Sequence, residues 1–500
     1  MGARAPRRRG RTPATVTDPA TALHAARRRR DLAAGAEETC DVLVVGGGIT
    51  GVGAALDAAS RGLRVTLIEA EDLAFGTSRF SSKLVHGGLR YLATGDVATA
   101  NESALERHLL MTVIAPHLIR PLPQLLPFAA GVTLRQRSAG SMGMAMGDAL
   151  RLRARTPRRV LPPPRLVGPR EAQRLFPALR RRDLRGGVLG FDGQLVDDAA
   201  LVVAVARTAA GRGARILTRV RAEELHDGGA TVVDTLTGER LELRARAVVN
   251  ATGVWAGTLD DSIRVRPSRG THLVLDADDL GRPTAALTVP REGSISRYVF
   301  ALPQRHGRVI VGLTDEDAPG PVPRVAAPTE PEIASLLATL NRLLATPLTR
   351  DHVRGAFAGL RPLVDNGAAS SADVSRRHLV HISPGGFVSV LGGKLTTYRR
   401  MAEDAVDLAL RHRGIDAPPS STAALRLVED TGARWGAPDH TSDPPALSRA
   451  AVEFAVRCEG ALTADDVLER RSRLALVAAD AERARPTVEH IVTETLADLD

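Results

Sequence analysis

The chain has 500 residues, 44% of them hydrophobic, which is enough to bury a sizeable core in two or three structural units. No run reaches the roughly 18 apolar residues of a membrane-spanning helix, and the two cysteines, Cys40 and Cys458, make neither a disulfide framework nor a metal motif. The net charge of +10 comes with only 3% aromatic residues, so we expect a globular protein that does not span a membrane and binds neither metal nor nucleic acid.

Arginine is concentrated in two stretches of the chain. Residues 1–39 combine nine arginines with Ala and Pro and have no apolar segment of the signal-peptide kind, which predicts a disordered basic arm on a cytoplasmic protein. Residues 151–185 contain twelve arginines against two acidic residues. Such a strip is either a solvent-exposed protein surface or a contact surface for an anionic membrane, and the sequence does not decide between these two interpretations.

The first predicted elements form a nucleotide-binding unit. Residues 41–45 are an apolar, β-branched run typical of a buried parallel strand, and a helical segment of small residues follows. Between them Gly46, Gly48 and Gly51 have the spacing G-x-G-x-x-G, and a second strand ends at Glu69. These glycines allow a tight turn, close approach to a pyrophosphate and close packing, while the acid binds a ribose hydroxyl. The unit therefore predicts a dinucleotide at a helix N-terminus.

Two later segments complete the same predicted site. RAVVNATGVWAG (246–257) is a strand that ends in a turn of small residues, including Ala251 and Gly253. FVSVLGGKLTTYRR (387–400) is a strand that runs through Gly392 and Gly393 into a helix. The positive end of that helix can stabilise the negative charge of a reduced flavin. Three distant segments at one site favour FAD over NAD as the cofactor.

The stretches between these segments predict a core interrupted by a second domain. Within an oxidoreductase domain at 40–412, we expect an FAD-binding core in 40–115, 186–262 and 351–412, with substrate or cap insertions in 116–185 and 263–350. ISRYVFALPQRHGRVIVGLTD (295–315) alternates apolar and polar residues around a turn, as antiparallel strands do. Residues 413–500 have apolar residues at three- and four-residue intervals, which predicts a C-terminal helical domain.

Several motifs resemble those of the FAD-dependent glycerol-3-phosphate dehydrogenases of the aerobic type. They are GGGITG, GTSRFSSKLVHGGLRYL (76–92), GLRPL (359–363) and GGKLTTYR (392–399), and EGALTADDVLERRSRLAL (459–476) resembles the family's C-terminal domain. The resemblance implies an α/β fold with an FAD-binding, Rossmann-like core of the glutathione-reductase and amino-acid-oxidase type. It also implies an antiparallel-sheet substrate domain and a C-terminal helical domain, which is shorter here than is usual in the family.

The resemblance also implies the residues of the site. His272 is the expected proton acceptor or polarising donor, because an ordinary histidine has a pKa near working pH. Arg361 is the alternative catalytic residue, because an arginine can stabilise the developing alkoxide. The substrate-binding residues are Arg90, Tyr91, His272, Arg361, Arg376 (or its neighbour Arg377), Lys394 and Thr396, with Thr397 as a further hydrogen-bonding partner. The cofactor-binding residues are Gly46, Gly48, Gly51, Glu69, Thr77, Ser78, Ser82, Lys83, His86, Gly87, Gly88, Ala251, Gly253, Gly392, Gly393, Lys394, Leu395 and Thr396.

The implied reaction is oxidation of sn-glycerol 3-phosphate to dihydroxyacetone phosphate by hydride transfer to flavin N5. The electrons pass to a quinone in the family, although the sequence does not decide between quinone and oxygen. Because a quinone is dissolved in the membrane, we expect the arginine strip at 151–185 to bind the inner face of the cell membrane as a peripheral contact. A homodimer is one assembly that the resemblance allows. Two alternatives stay open, an amine or amino-acid oxidase of the same fold and a non-catalytic flavin-binding surface module.

Overall fold

The structure, a computed structural model, describes residues 18–88, 96–365, 378–429 and 447–499. The strands of this part are β1 (Cys40–Val45), β2 (Val65–Glu69), β3 (Leu84–Val85), β4 (Ile119–Pro127), β5 (Arg165–Val167), β6 (Gly187–Leu195), β7 (Arg215–Thr218), β8 (Val220–His226), β9 (Gly229–Asp234), β10 (Arg240–Asn250), β11 (Val265–Asp276), β12 (Ala286–Pro290), β13 (Tyr298–Pro303), β14 (Arg308–Gly312), β15 (Glu316–Asp317), β16 (Val353–Val364), β17 (His378–Ile382) and β18 (Val388–Gly392). The helices are α1 (Ala25–Glu37), α2 (Ile49–Ser60), α3 (Val97–Leu109), α4 (Leu134–Arg153), α5 (Pro169–Leu175), α6 (Asp198–Ala210), α7 (Ala256–Leu259), α8 (Glu330–Asn341), α9 (Tyr398–Arg413), α10 (Arg449–Glu459) and α11 (Ala478–Ala497).

A largely parallel sheet forms the core of the molecule, with the strand order β17-β18-β10-β1-β2-β7. Every residue of β1 is buried because both faces of the sheet are covered, which explains the continuous apolar run in its sequence. On one face α2 packs between α6 and α9. Gly53 allows the close approach of α9, since a Cβ there would lie 2.9 Å from the Tyr398 ring. The nucleotide-binding α/β core predicted from residues 41–69 is confirmed.

A second, mainly antiparallel sheet stands beside the first, with the order β15-β11-β14-β13-β12-β4-β6-β3 and with β16 on the free side of β11. The predicted pair of strands within 295–315 is confirmed as β13 and β14. Alternate residues of this sheet, such as Leu273 and Val299, form an apolar cluster with α8. The residues between them, including His272, Thr288 and Phe300, face a cavity on the opposite side.

The N-terminal segment differs from its prediction. The sequence predicted a disordered arm over residues 1–39, whereas residues 25–37 form helix α1 on the face of the parallel sheet opposite α2. Arg28 is buried there, pairs with Asp234 at 2.6 Å and donates to the carbonyl of Thr218 at 2.7 Å. Leu32 joins the apolar cluster under the sheet. The buried, paired Arg28 and the buried Leu32 therefore contribute to docking a helix whose composition indicated disorder.

The C-terminal domain packs α10 against α11 around its own apolar cluster, which includes Val452, Leu468 and Ile491. Two backbone hydrogen bonds join this domain to the start of the described chain. Leu23 N donates to the Cys458 carbonyl at 3.0 Å, and Gly460 N donates to the Leu23 carbonyl at 2.9 Å. Among the described residues, no helix combines the length and the hydropathy that crossing a bilayer demands.

Candidate active site

One large cavity, of about 1150 Å³, lies between the two sheets. The ends of β1, β2, β10 and β18 border it on one side, and β11, β13 and β16 border it on the other. The predicted site residues that line it are Gly46, Gly48, Glu69, Thr77, Ser78, Ser82, His86, Ala251, Gly253, His272, Arg361, Gly392, Gly393, Lys394, Leu395 and Thr396. Segments more than 300 positions apart thus meet at one site, as the interrupted core requires.

The glycine motif builds the nucleotide end of the cavity. Gly46 has φ +113°, and a Cβ there would lie 2.6 Å from the Ala251 carbonyl oxygen. A Cβ on Gly51 would lie 1.8 Å from the Gly46 carbonyl oxygen, so Gly51 serves packing and does not itself line the cavity. Glu69 accepts the Gly47 N–H at 2.6 Å. The turn and the acid therefore form one unit at the N-terminus of α2, where anions are stabilised.

The protonation of Glu69 is set by two opposing effects, backbone hydrogen bonds and burial. Its carboxylate accepts backbone N–H groups from Gly47 and from Glu71, at 2.6 and 2.8 Å. Burial nevertheless raises the pKa of Glu69 to about 7, against the lowering effect of these hydrogen bonds. This carboxyl group lines the cavity at the end of β2, where the sequence predicted a group that binds a ribose hydroxyl.

The residues present fit a flavin dinucleotide. The Thr396 hydroxyl is buried in the cavity wall and has no hydrogen-bond partner among the residues that the structure describes, which suits a group that bonds to a bound molecule. Leu395–Thr397 form a single 3-10 turn that leads into α9, so backbone N–H groups gather beside that hydroxyl. Lys394 donates to the Ser103 hydroxyl at 2.5 Å and brings a positive charge to the same wall.

His272 lies at the other end of the cavity, on β11. Its ring stacks on Phe357 across the sheet, with ring centroids 4.9 Å apart, and its Nε2 lies 2.8 Å from the Ser82 hydroxyl. Gly312 on β14 makes room for the ring, because a Cβ there would lie 2.2 Å from the imidazole Cδ2. Three strands and one loop therefore fix the orientation of this side chain.

The protonation state of His272 differs from the prediction. The sequence analysis relied on a pKa near working pH, whereas burial, helped by the positive charges of Lys83 and Arg361, lowers the pKa of His272 to about 3. The imidazole is therefore neutral at physiological pH, with one ring nitrogen able to accept a proton. The sequence could not show this because the burial and both charges come from distant parts of the chain.

Arg361 lies flat over Gly270, where a Cβ would meet its Nη2 at 2.3 Å. Its guanidinium pairs with Asp315 at 3.0 Å and donates to the Thr314 carbonyl at 3.2 Å. Both Arg361 and Asp315 line the cavity, so an anionic ligand there would compete with a carboxylate for the same guanidinium. Asp315 ends the segment predicted as a strand pair, and sequence reasoning did not single it out.

Some predicted residues lie elsewhere. Lys83 is turned away from the cavity and donates to Asp198 at 2.7 Å and to the Arg79 carbonyl at 3.0 Å. Gly87 and Gly88 also lie behind the wall, packed against Arg107 and Ser103 respectively. The predicted residues outside the described part of the chain are Arg90, Tyr91, Arg376 and its neighbour Arg377.

The cavity also has a wall that the sequence analysis missed. It consists of Tyr298 and Phe300 on β13 together with methionines of α4. The alternation of Tyr298 and Phe300 in a predicted strand could have indicated that they share a face. The methionines Met142, Met144 and Met146 gave a weaker signal, because residues two positions apart do not share one face of a helix.

Comparisons with known proteins agree with this geometry. The model of the FAD-dependent oxidoreductase family matches residues 41–399, and that of the C-terminal domain of alpha-glycerophosphate oxidase matches residues 422–497. Glycerol-3-phosphate dehydrogenase 1 of Mycobacterium bovis is 50% identical to the chain, covering 92% of it and 96% of the relative. Glycerol-3-phosphate dehydrogenase 2 of the same organism is 36% identical, covering 92% and 85%.

The same family appears among solved structures. The glycerol-3-phosphate dehydrogenase of Bacillus halodurans in complex with FAD superposes with a TM-score of 0.71 at 25% identity, covering 95% of this chain and 97% of that one. The α-glycerophosphate oxidase of Mycoplasma pneumoniae shares the fold with a TM-score of 0.58 at 19% identity. The two family models together cover the glycine motif, the antiparallel sheet and the C-terminal helices. The chain therefore belongs to the FAD-dependent glycerol-3-phosphate dehydrogenase family, and its cofactor is FAD.

Proposed function

We propose that this protein oxidises sn-glycerol 3-phosphate to dihydroxyacetone phosphate and passes the electrons to a quinone. The observation that supports it most strongly is the imidazole of His272, held by Phe357 and Ser82 in the same cavity as the cationic groups of Arg361 and Lys394. When bound, FAD supplies the acceptor for the hydride that leaves the carbinol carbon. The chain's own residues bind the substrate, orient it and take its hydroxyl proton.

His272 is the proposed proton acceptor. Burial lowers the pKa of His272 to about 3 and keeps the ring neutral, so it can accept a hydrogen bond from a substrate hydroxyl; the same lowering makes the ring a weak base. Stacking on Phe357 and the contact with Ser82 limit the orientations that the ring can adopt. Arg361, the rival for the catalytic role, is proposed to stabilise negative charge on the substrate oxygen without taking the proton.

The phosphate group is proposed to bind at Arg361 and Lys394, with Arg90 and Arg376 as further candidates outside the described residues. A phosphate dianion at Arg361 competes with Asp315 for the guanidinium and forms short, charge-assisted hydrogen bonds with it. A carboxylate substrate of an amine or amino-acid oxidase would carry one charge fewer. We therefore expect the site to prefer a dianion.

The test is anaerobic bleaching of the flavin in the purified protein. sn-Glycerol 3-phosphate is expected to bleach the absorbance, whereas glycerol and a set of amino acids are not. Arg361→Ala is expected to raise the substrate concentration for half-bleaching about tenfold to a hundredfold, since a hydrogen-bonded charge pair contributes about 1.5–3 kcal/mol. Bleaching by an amino acid would support the oxidase alternative, and no bleaching by any substrate would support the non-catalytic module.

The proposed route to the quinone runs past α4. On this helix Leu134, Met142, Met146 and Leu152 are exposed apolar residues, and Met142 is 63% exposed. Met142 and Met146 also belong to the cavity wall, so apolar surface is present both outside the protein and at the edge of the cavity. A lipid-soluble acceptor could reach the site along this surface.

The arginine strip lies next to α4 in the chain. Arg151 is buried and bonds to Asp148 at 2.5 Å, whereas the other arginines of residues 151–185 are exposed. Exposed apolar residues and exposed arginines in one segment of chain favour contact with an anionic membrane, where each basic residue contributes about 1 kcal/mol. We propose that this side of the protein binds the inner face of the cell membrane.

Co-sedimentation with vesicles tests the membrane proposal. Binding is expected to vesicles that contain anionic lipid, to weaken with added salt, and to fall in a double variant, Met142→Gln with Met146→Gln. Reduction of a water-soluble dye by the same variant should stay at the parent rate, while reduction of a long-chain quinone should fall. Binding that is independent of both anionic lipid and salt would contradict the proposal.

A further inference from the structure

The C-terminal domain lies directly behind the loop that borders the cavity. Residues 70–83, here called the cofactor loop, have Gly76, Ser78 and Ser82 on the cavity side. The outer side of this loop bonds to residues 466–473, which connect α10 and α11. One loop is thus in contact with the cofactor site on one side and with a separate helical domain on the other.

Asp72 is the first anchor of the cofactor loop. Its side chain is 1% exposed and accepts hydrogen bonds from Arg470 Nε at 2.6 Å and from Arg471 Nη2 at 2.9 Å. Arg470 is held in turn by Asp466 at 2.6 Å. Two buried arginines of the C-terminal domain therefore converge on one carboxylate three residues after Glu69.

Arg79 and Arg473 form the second anchor. Glu469 accepts a hydrogen bond from Arg79 at 2.5 Å, and Arg473 donates to the carbonyls of Glu469 and Arg79. Arg473 Nη2 also lies 3.6 Å from Asp198, the partner of Lys83. The backbone of the loop just before Ser82, which touches His272, is therefore fixed by side chains from the far end of the chain.

The third contact lies beneath the catalytic end. Leu476 and Val477 of the C-terminal domain pack against Phe357, on which His272 stacks. Gly355 permits this approach, because a Cβ there would lie 2.0 Å from the Leu476 carbonyl oxygen. The domain thus supports both the cofactor loop and the floor under the imidazole.

We propose that residues 469–473 of the C-terminal domain are positioning residues that hold the cofactor loop in its FAD-binding geometry. Leu73 and Ala74 of the loop are buried in the core, but its cavity-side residues Gly76, Ser78 and Ser82 have no such apolar packing, and ordering them on binding would cost affinity. The buried pairs of Asp72 and the partly exposed pair between Arg79 and Glu469 supply that order in advance. The C-terminal domain then raises the affinity for FAD without touching it.

Arg473→Gly is the main test. Arg473 has φ +67°, a left-handed conformation that glycine adopts without strain, so the variant removes the guanidinium and leaves the backbone geometry acceptable. Arg473→Lys retains a positive charge at the same place. Glu469→Gln removes the negative charge that faces Arg79 and Arg470, at a position that is partly exposed. The matched control is Arg485→Ala, an exposed arginine on α11 in the same domain.

The measurement is the dissociation constant of FAD for full-length protein stripped of its flavin, by quenching of FAD fluorescence. Arg473→Gly and Glu469→Gln are expected to weaken binding about tenfold, the fold-change of one hydrogen bond to a charged group. Arg473→Lys should recover part of the loss, and Arg485→Ala should match the parent. Parent-like FAD affinity in Arg473→Gly and Glu469→Gln would overturn the proposal, whatever their melting temperatures. If Arg473→Gly does not fold, Glu469→Gln decides alone. No glycerol 3-phosphate is present, so a wrong substrate assignment leaves this result unaffected.

Discussion

Gly312→Ala is predicted to displace the imidazole of His272, the proposed proton acceptor, without altering any charged or hydrogen-bonding group. The new methyl group would lie 2.2 Å from Cδ2 of His272. To reach ordinary contact at 3.4 Å, the ring must retreat by about 1.2 Å, and a misplacement of about 1 Å can cost on the order of a hundredfold in rate. The retreat would also break the 2.8 Å contact with Ser82 and disturb the stack on Phe357.

The stability cost of Gly312→Ala should be moderate, about 1–3 kcal/mol, as for other overpacked interiors. We therefore expect kcat for sn-glycerol 3-phosphate to fall about a hundredfold. FAD content per protein should stay at the parent level because the nucleotide end is untouched. Gly168→Ala is the control, since a Cβ there meets nothing within 4 Å. A Gly312→Ala protein that turns over at the parent rate would show that catalysis does not depend on the position of His272.

Three further predictions concern the nucleotide end and its support. Because burial raises the pKa of Glu69 from 4.5 to about 7, the folded protein keeps a proton that the unfolded chain releases. The free energy of unfolding of flavin-free protein should therefore fall as pH rises from 4.5 through 7, and Glu69→Gln should flatten this dependence in thermal melts; an unchanged slope would refute the assignment. Asp72→Asn should cost about 3–5 kcal/mol in denaturant unfolding, since it leaves two buried arginines without their shared carboxylate. A loss below about 1 kcal/mol, as for exposed pairs, would contradict this. Gly51→Ala should lower FAD affinity at least about a hundredfold, because its Cβ would lie 1.8 Å from the Gly46 oxygen and the turn must move. Retention of stoichiometric FAD through gel filtration would disprove it.

The parts of the fold that the sequence predicted are those encoded by local patterns. The glycine spacing, the apolar run of β1 and the acid at Glu69 lie within 30 residues, and each has a direct steric or electrostatic reason. The alternation in 295–315 likewise specified β13 and β14. The resemblance then added His272, Arg361 and Lys394, which the structure brings to one cavity.

The remaining features depend on packing between distant segments. Lys83 was predicted as a cofactor ligand because it lies within a matching motif, but Asp198 on α6 draws it into the interior. Helix α1 was predicted to be disordered because the partner of its buried Arg28 is not local: Asp234 lies 206 positions away in the chain. Ion pairs between distant segments leave no periodic pattern in the sequence. Composition alone therefore predicts exposed charged side chains at positions where the fold buries them in pairs.

The anchoring of the cofactor loop has a consequence for synthesis on the ribosome. Asp72 emerges early, yet Arg470 follows it by 398 positions. Leu23 likewise pairs with backbone groups near Gly460, almost at the end of translation. The carboxylate of Asp72 therefore lacks its counter-ions until nearly the whole polypeptide has been made, and a premature stop before Arg470 would release the chain without them.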